Sequence, residues 1–150
     1  MNTQPDFEEL LRLLEQNKVR YMVVGGYAVA FHGFPRFTKD IDIFFLNSEE
    51  NIVLIRKCLT DFGFPQDKIP RKLFTEKGNI IQFGMIPVRV DLINEIDGVS
   101  FDEAQKHIVR GKYGKVEVNF IGKTDLIKNK VASGRPQDEL DAKTLKKAKK

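Results

Sequence analysis

One stretch, residues 23–45, constrains the fold of this chain more than any other. In it an apolar run meets a pair of glycines and then, after a connection that contains Pro35, two aspartates separated by one isoleucine. Because successive side chains of a strand point to opposite faces, Asp40 and Asp42 would share one face of a strand. Two adjacent carboxylates repel each other, and they form a natural site for a hard cation such as Mg²⁺. The stretch therefore predicts a strand with an acidic face that can bind a metal.

The glycine pair supplies a second chemical feature. Gly25 and Gly26 follow a short apolar strand predicted at residues 21–24, and residues 27–32 are predicted to form a short helix that ends at Gly33. Glycine lets a backbone approach a ligand closely, and free N–H groups at a helix N-terminus bind phosphate oxygens. The pattern indicates a phosphate-binding turn beside the aspartates. The alternative is a plain tight turn next to a solvated strand face.

Length and composition indicate one globular domain spanning residues 1–150, because 41% of the residues are hydrophobic. No apolar run approaches the roughly 20 residues that a membrane helix requires, and the first residues do not resemble a signal peptide. We therefore expect a cytoplasmic protein with no membrane association. The single cysteine, Cys58, lies in an apolar helical pattern and is expected to be a small buried hydrophobic residue.

The formal charge of +4 is concentrated toward the end of the chain. Residues 123–150 contain nine Lys or Arg and four Asp or Glu, whereas the preceding residues are nearly neutral. A basic helix or tail at about residues 137–150 could contact RNA or another polyanion. It could equally be a solvated helix end, since its lysines are not interleaved with aromatic residues that would stack on bases.

Hydrophobic periodicity and capping residues predict alternating helices and strands in the rest of the chain. The predicted helices are 6–17, 48–62, 100–109, 124–133 and a last one from Gln137. The predicted strands are 40–46, a brief one at 72–75, the pair 79–83 and 88–93, and a hairpin over 110–121 that turns at Tyr113 and Gly114. These elements predict an α/β or α+β domain whose small, twisted, mixed sheet is flanked by helices.

A third aspartate, Asp91, lies in the middle of the predicted strand 88–93, between Val90 and Leu92. If this strand lies beside the strand 40–46 with its face in register, three carboxylates converge. Two Mg²⁺ ions held by three carboxylates would bind a nucleoside triphosphate and lower the pKa of an attacking hydroxyl.

These residues resemble the nucleotidyltransferase superfamily that includes DNA polymerase beta, in the small-domain branch related to abortive-infection nucleotidyltransferase toxins. The resemblance is carried by Val24-Gly25-Gly26, Asp40-Ile41-Asp42 and Val90-Asp91-Leu92. It extends more weakly to Arg36-Phe37-Thr38 and to Lys130 with Gly134-Arg135-Pro136-Gln137-Asp138.

The resemblance implies the nucleotidyltransferase fold and a Mg²⁺-dependent transfer of a nucleoside monophosphate from an NTP such as ATP to a hydroxyl acceptor, with release of pyrophosphate. The acceptor could be RNA, a protein or a small molecule. Asp40 and Asp42 would hold two Mg²⁺ ions, while Asp91 would complete the metal site and help to activate the acceptor. A partner chain or a second copy in a homo-oligomer would supply a missing wall of the acceptor site.

The resemblance also implies a nucleotide-binding set. Gly25 and Gly26 would approach the triphosphate, with Thr38 and Arg36 on the connection that follows. Arg36 would either pair with phosphate or hold its own loop in place. Lys130 would be a nucleotide contact or, alternatively, a solvated helix position.

One departure from the superfamily pattern is Tyr27, which stands where many active relatives have Ser or Thr. Such a hydroxyl can bond to the triphosphate. Its loss keeps open an alternative function, a catalytically weak or inactive binding module such as a toxin–antitoxin component or an RNA-binding protein. The two histidines, His32 and His107, are expected to be packing or capping residues.

Overall fold

The computed structural model describes residues 4–34, 38–83 and 89–147. The strands are β1 (Tyr21–Val24), β2 (Asp40–Phe45), β3 (Ile80–Phe83), β4 (Arg89–Ile93), β5 (Val109–Tyr113) and β6 (Val116–Phe120). The α-helices are α1 (Pro5–Gln16), α2 (Gly25–Phe31), α3 (Glu49–Phe62), α4 (Arg71–Thr75), α5 (Phe101–Ala104), α6 (Lys123–Ser133) and α7 (Pro136–Lys147). Short 3₁₀ turns lie at Gln66–Lys68 and Gln105–His107.

The six strands form one mixed sheet in the order β3-β4-β2-β1-β6-β5. Strand β2 pairs antiparallel with β1 and parallel with β4, and β1 pairs parallel with β6. The two outer pairs, β3 with β4 and β5 with β6, are antiparallel. The predicted fold class, a mixed sheet flanked by helices, is confirmed.

Helices cover both faces of the sheet, so strand β1 is apolar on both sides. Tyr21 and Val23 of β1 join a core with α1, α3 and α4, whereas Met22 and Val24 join a second core with α2, α5, α6 and α7. This two-sided burial explains why β1 is a continuous apolar run rather than an alternating one.

Most predicted elements lie within one or two residues of their positions in the structure, and two do not. The brief strand predicted at 72–75 is wrong, because these residues lie in helix α4, which Pro70 precedes as its N-cap, and Phe74 is buried in the core. The helix predicted at 100–109 is also too long. It ends after one turn of α5 and a 3₁₀ turn, because β5 begins at Val109. The turn predicted between β3 and β4 lies outside the described residues.

Within the described ranges, no helix is both long and apolar enough to cross a membrane. The single cysteine, Cys58, is buried in α3 with a free thiol.

Candidate active site

Three of the predicted site residues lie side by side on one face of the sheet. Asp42 of β2 and Asp91 of β4 are direct partners in the parallel ladder. Asp40 lies two residues before Asp42 and therefore on the same face of β2. The residue opposite Asp40 is Arg89. The parallel pairing of β2 with β4 therefore brings together three carboxylates, although Asp91 lies 51 residues after Asp40 in the chain.

The aspartates open into a cavity of about 730 Å³ between the sheet and helices α2, α6 and α7. The residues predicted to bind the nucleotide also line it: Gly25, Gly26, Thr38 and Lys130. Arg36 lies outside the described residues. The cavity thus unites the glycine pair and the acidic strand face, which the sequence predicts from separate signals.

Burial of negative charge dominates the electrostatics of this face. The pKa of Asp42 is raised to about 7, first because the carboxyl is buried and then because Asp91 and Asp40 are close. The positive charge of Lys130 opposes this shift only in part. A carboxyl that resists ionisation beside two other carboxyls is a good position for a divalent cation, which would relieve the repulsion.

The donor chemistry of these side chains fits a hard divalent cation, although their present rotamers do not enclose one. Among the described residues, no three His, Cys, Asp or Glu side chains converge closely enough to form a metal cage. A guanidinium lies between two of the carboxylates instead. Arg89 Nε is 2.9 Å from Asp91 Oδ1, and its Nη2 is 3.2 Å from Asp40 Oδ2.

Sequence reasoning missed Arg89. The available signal was its position two residues before Asp91, which puts both side chains on one face of a strand. An arginine at the start of a strand is usually solvated, so this signal alone does not identify a site residue.

Gly25 is held against the acidic face. Its backbone has φ of +68°, a conformation that favours glycine, and a Cβ at this position would lie 2.1 Å from Asp42 Oδ2. The chain at the start of α2 therefore passes directly beside the carboxylate. The first glycine is required both by its conformation and by the space that Asp42 occupies.

Tyr27 does not place its side chain in the cavity. Its side chain is buried on the opposite side of α2, in edge-to-face contact with Phe7 and Tyr113. A different hydroxyl lies on the cavity wall, that of Thr38, which donates a hydrogen bond to the carbonyl oxygen of Asp40. Tyr27 is thus a core residue, and it neither blocks nor lines the cavity.

Lys130 is not the solvated helix residue of the alternative interpretation. Its side chain is only 7% exposed, and Nζ lies 3.0 Å from Asp138 Oδ1 and 3.3 Å from Asp141 Oδ2. Ser133 and Arg135 also donate hydrogen bonds to Asp138. Burial alone would raise the pKa of Asp138, but bonds from Ser133, Lys130 and Arg135 outweigh burial and lower the pKa to about 2. The C-terminal motif therefore forms a buried ionic corner between α6 and α7.

The two histidines lie outside this cavity. His32 bonds through Nε2 to the carbonyl oxygen of Ile121, and His107 Nδ1 lies 2.9 Å from the buried Asp125. Both contacts fit the structural roles expected for these residues.

Comparison with solved structures gives relatives of the same fold. One is TM1012 of Thermotoga maritima, a protein assigned as a nucleotidyltransferase, with 18% identity and a TM-score of 0.60 over 97% of this chain and 94% of that chain. Another is the lincosamide antibiotic adenylyltransferase LnuA in its lincomycin-bound form, with 19% identity and a TM-score of 0.53 over 98% of this chain and 99% of that chain. No curated protein matches the sequence.

A family model covers nearly the whole sequence. It matches residues 3–150 and describes a nucleotidyl transferase of unknown function, DUF2204. The resemblance to nucleotidyltransferases that rests on the glycine pair and the three aspartates is thereby confirmed. This chain belongs to the DUF2204 family of nucleotidyltransferases.

Proposed function

We propose that this chain transfers a nucleoside monophosphate from an NTP to a hydroxyl acceptor and releases pyrophosphate, with Mg²⁺ as the metal. The observation that carries the proposal is the pairing of Asp42 with Asp91 on adjacent strands, with Asp40 two residues before Asp42 on the same face. All three side chains line a cavity that Gly25 and Gly26 also line. A fold with no catalytic use for this face would gain nothing from three neighbouring carboxylates.

Each part of the site has a distinct role in this reaction. Bound Mg²⁺ would neutralise the triphosphate and lower the pKa of the attacking hydroxyl. Asp40, Asp42 and Asp91 would hold the metal, and Gly25, which has no side chain, leaves room for the Asp42 carboxylate beside the start of α2. Asp91 would complete the metal site and help to activate the acceptor hydroxyl.

The direction of the reaction across the cavity follows from these roles. With the triphosphate beside Gly25 and Gly26, pyrophosphate leaves on the side of α2. In an in-line displacement the attacking oxygen approaches from the opposite side of the phosphorus, which is the side of Asp91 and of strands β4 and β3. The acceptor therefore binds near the β3 edge of the sheet.

The wall on the acceptor side is acidic and partly apolar. Glu95 and Asp97 line it together with Ile80, Ile93 and Ile96, and Ile80 is 52% exposed. Among the described residues that line the whole cavity, six are acidic and three are basic. Such a wall favours a small hydroxyl compound that carries positive charge and an apolar portion, and it disfavours RNA.

Short contacts on both sides fix the acidic wall in position. Asn94 accepts a hydrogen bond from the Gly78 backbone N–H and donates to the carbonyl oxygens of Phe74 and Glu76. Asn129 of α6 donates to the carbonyl oxygen of Asp97. A preformed wall of this kind supports recognition of a specific acceptor, and a small-molecule acceptor also accords with the lincomycin-bound neighbour LnuA.

The direct test is label transfer from α-labelled NTPs with Mg²⁺, assayed against small hydroxylated amines, RNA and proteins. Asp42→Asn should abolish transfer, whereas the control Asp67→Asn, at an exposed position in a 3₁₀ turn outside the cavity, should leave it unchanged. Absence of transfer and of metal-dependent NTP binding with every nucleotide would contradict the proposal.

The same assay addresses the alternative of an inactive binding module. That alternative is motivated by Tyr27, whose side chain lies in the core and away from the cavity. Retention of all three aspartates and of the glycine pair supports catalysis instead. An inactive module would bind its partner equally well with Asp42→Asn and would produce no pyrophosphate.

A further inference from the structure

Arg89 lies on the acidic face of the sheet, in contact with two of its three aspartates. It is opposite Asp40 in the β2–β4 ladder and two residues before Asp91, so its side chain shares the face of all three aspartates. The guanidinium forms a two-pronged contact with Asp91, through Nε at 2.9 Å and Nη2 at 3.3 Å. The same Nη2 is 3.2 Å from Asp40 Oδ2.

Of the described cations, Arg89 is the one that contacts these aspartates directly. Lys130 is close enough to affect the pKa of Asp42, but its Nζ is already bonded to Asp138 and Asp141. Arg89 therefore provides the main local compensation for the negative charge of Asp40 and Asp91.

The guanidinium also occupies the space that a metal would need. Nη2 of Arg89 lies 3.2 Å from an oxygen of Asp40 and 3.3 Å from an oxygen of Asp91. A Mg²⁺ ion that bridged these carboxylates would hold each oxygen at about 2.1 Å, so the two carboxylates would have to close together where Nη2 now lies. Arginine and metal cannot share this position.

The side chain of Arg89 is partly exposed to solvent, unlike that of Asp91. Its side chain is 46% exposed, whereas that of Asp91 is 12% exposed. Arg89 is the first residue of β4, so its side chain can swing toward solvent without disturbing the ladder. The exposure of Arg89 separates it from the buried ionic corner around Lys130.

We propose that Arg89 is a displaceable counter-ion of the three aspartates, which holds Asp40 and Asp91 apart without metal and must leave Asp40 before a divalent cation can bridge them. The inference rests on the metal-binding role of the aspartates in the proposed function. Arg89 thus lowers the affinity of the site for metal and stabilises the metal-free protein. It is a positioning residue, since it acts through the carboxylates.

The experiment measures Mn²⁺ binding to the full chain by calorimetry, together with thermal unfolding in the presence of a chelator. The variants are Arg89→Met, Arg89→Lys, Asp42→Asn and the control Arg12→Met, which removes a surface arginine that pairs with Glu8 and Glu9 on α1. Arg89→Met should bind Mn²⁺ about three- to tenfold more tightly than the wild type, and its metal-free form should melt at a lower temperature. The Mn²⁺ affinity and melting temperature of Arg89→Lys should fall between those of the wild type and Arg89→Met, because an ammonium keeps the charge but lacks the two-pronged geometry.

The direction of the change in Mn²⁺ affinity distinguishes a displaceable counter-ion from a purely structural arginine. A purely structural arginine would give the opposite result, weaker Mn²⁺ binding in Arg89→Met, because the carboxylates would lose their positions. Unchanged or weaker binding in Arg89→Met, with binding that Asp42→Asn abolishes, would overturn the role of Arg89 alone. Absence of Mn²⁺ binding in every variant would overturn both this inference and the metal role in the proposed function.

Discussion

Gly25 and Asp42 are packed so closely that a methyl group on Gly25 would overlap the carboxylate, since its Cβ would lie 2.1 Å from Oδ2 and 3.1 Å from Cγ. The first glycine of the pair thus leaves the space that the central aspartate occupies. This links the two signals from which the sequence predicts the site, because the turn and the acidic strand depend on each other in space.

Gly25→Ala should therefore abolish metal-dependent NTP binding while it costs only about 1–2 kcal/mol of unfolding free energy. The stability cost is the strain of an alanine at φ of +68°, because the Asp42 side chain can rotate away from the new methyl group. Gly134→Ala is a matched control, since its φ is +70° and a Cβ added there would meet nothing within 4 Å. Calorimetry and denaturant unfolding of both variants test this, and retained binding in Gly25→Ala would contradict it.

The raised pKa of Asp42 predicts an unusual pH dependence for the metal-free protein. Its pKa is about 7 in the folded protein and 3.8 ordinarily, because burial and the neighbouring Asp91 disfavour the charged form. The folded state therefore binds the proton more tightly than the unfolded chain. The contribution of this group to stability is full below about pH 4 and is lost as the pH rises toward 7.

Asp42→Asn removes the cost of a buried charge, so in the presence of a chelator it should be more stable than the wild type at pH 8 by about 1–3 kcal/mol. The pKa shift itself sets a maximum of roughly 4 kcal/mol. The difference should vanish near pH 4. Urea unfolding at both pH values measures it, with Asp67→Asn as the exposed control. A variant that is less stable than the wild type at pH 8 would indicate a structural role for Asp42.

Local signals in the sequence are sufficient for much of the fold. Helix α3 is one case, since Ser48 caps it through a bond from the Asn51 backbone N–H and Gly63 ends it. Strand alternation likewise predicts that Asp40 and Asp42 share a face. These features depend on residues that are neighbours in the chain, and short-range physical chemistry determines them.

Long-range contacts account for what the sequence does not predict. The contact of Arg89 with Asp40 depends on the register of β2 with β4, which packing of the whole sheet determines. Burial of Lys130 depends on α7 folding back on α6, and nothing in the local pattern around Lys130 distinguishes it from a solvated lysine. Helix α4 resembles a strand in its sequence because five residues carry too little periodicity to separate the two.

Lys130→Met should destabilise the protein by about 3 kcal/mol, because it leaves Asp138 and Asp141 buried with less compensation. Lys128→Met, at an exposed position on the same helix, should change stability by no more than about 0.5 kcal/mol. The loss in Lys130→Met should shrink as the pH falls toward 2, where Asp138 becomes protonated. Urea unfolding between pH 2 and pH 8 checks this, and equal stability of the two variants would contradict it.

The acidic wall predicts a specific kinetic effect on the acceptor. Glu95→Gln combined with Asp97→Asn should raise the KM for a cationic acceptor by about three- to tenfold, since each exposed charge contributes up to about 1 kcal/mol. The KM for the NTP should not change, because the nucleotide binds at the other side of the cavity, beside Gly25.

The control is Glu76→Gln with Asp67→Asn, which removes the same charge from exposed positions outside the cavity. Steady-state kinetics with a neutral analogue of the acceptor completes the test, since the neutral compound should not distinguish the two double variants. An RNA acceptor that reacts better than every cationic compound would show that the proposed acceptor class is wrong.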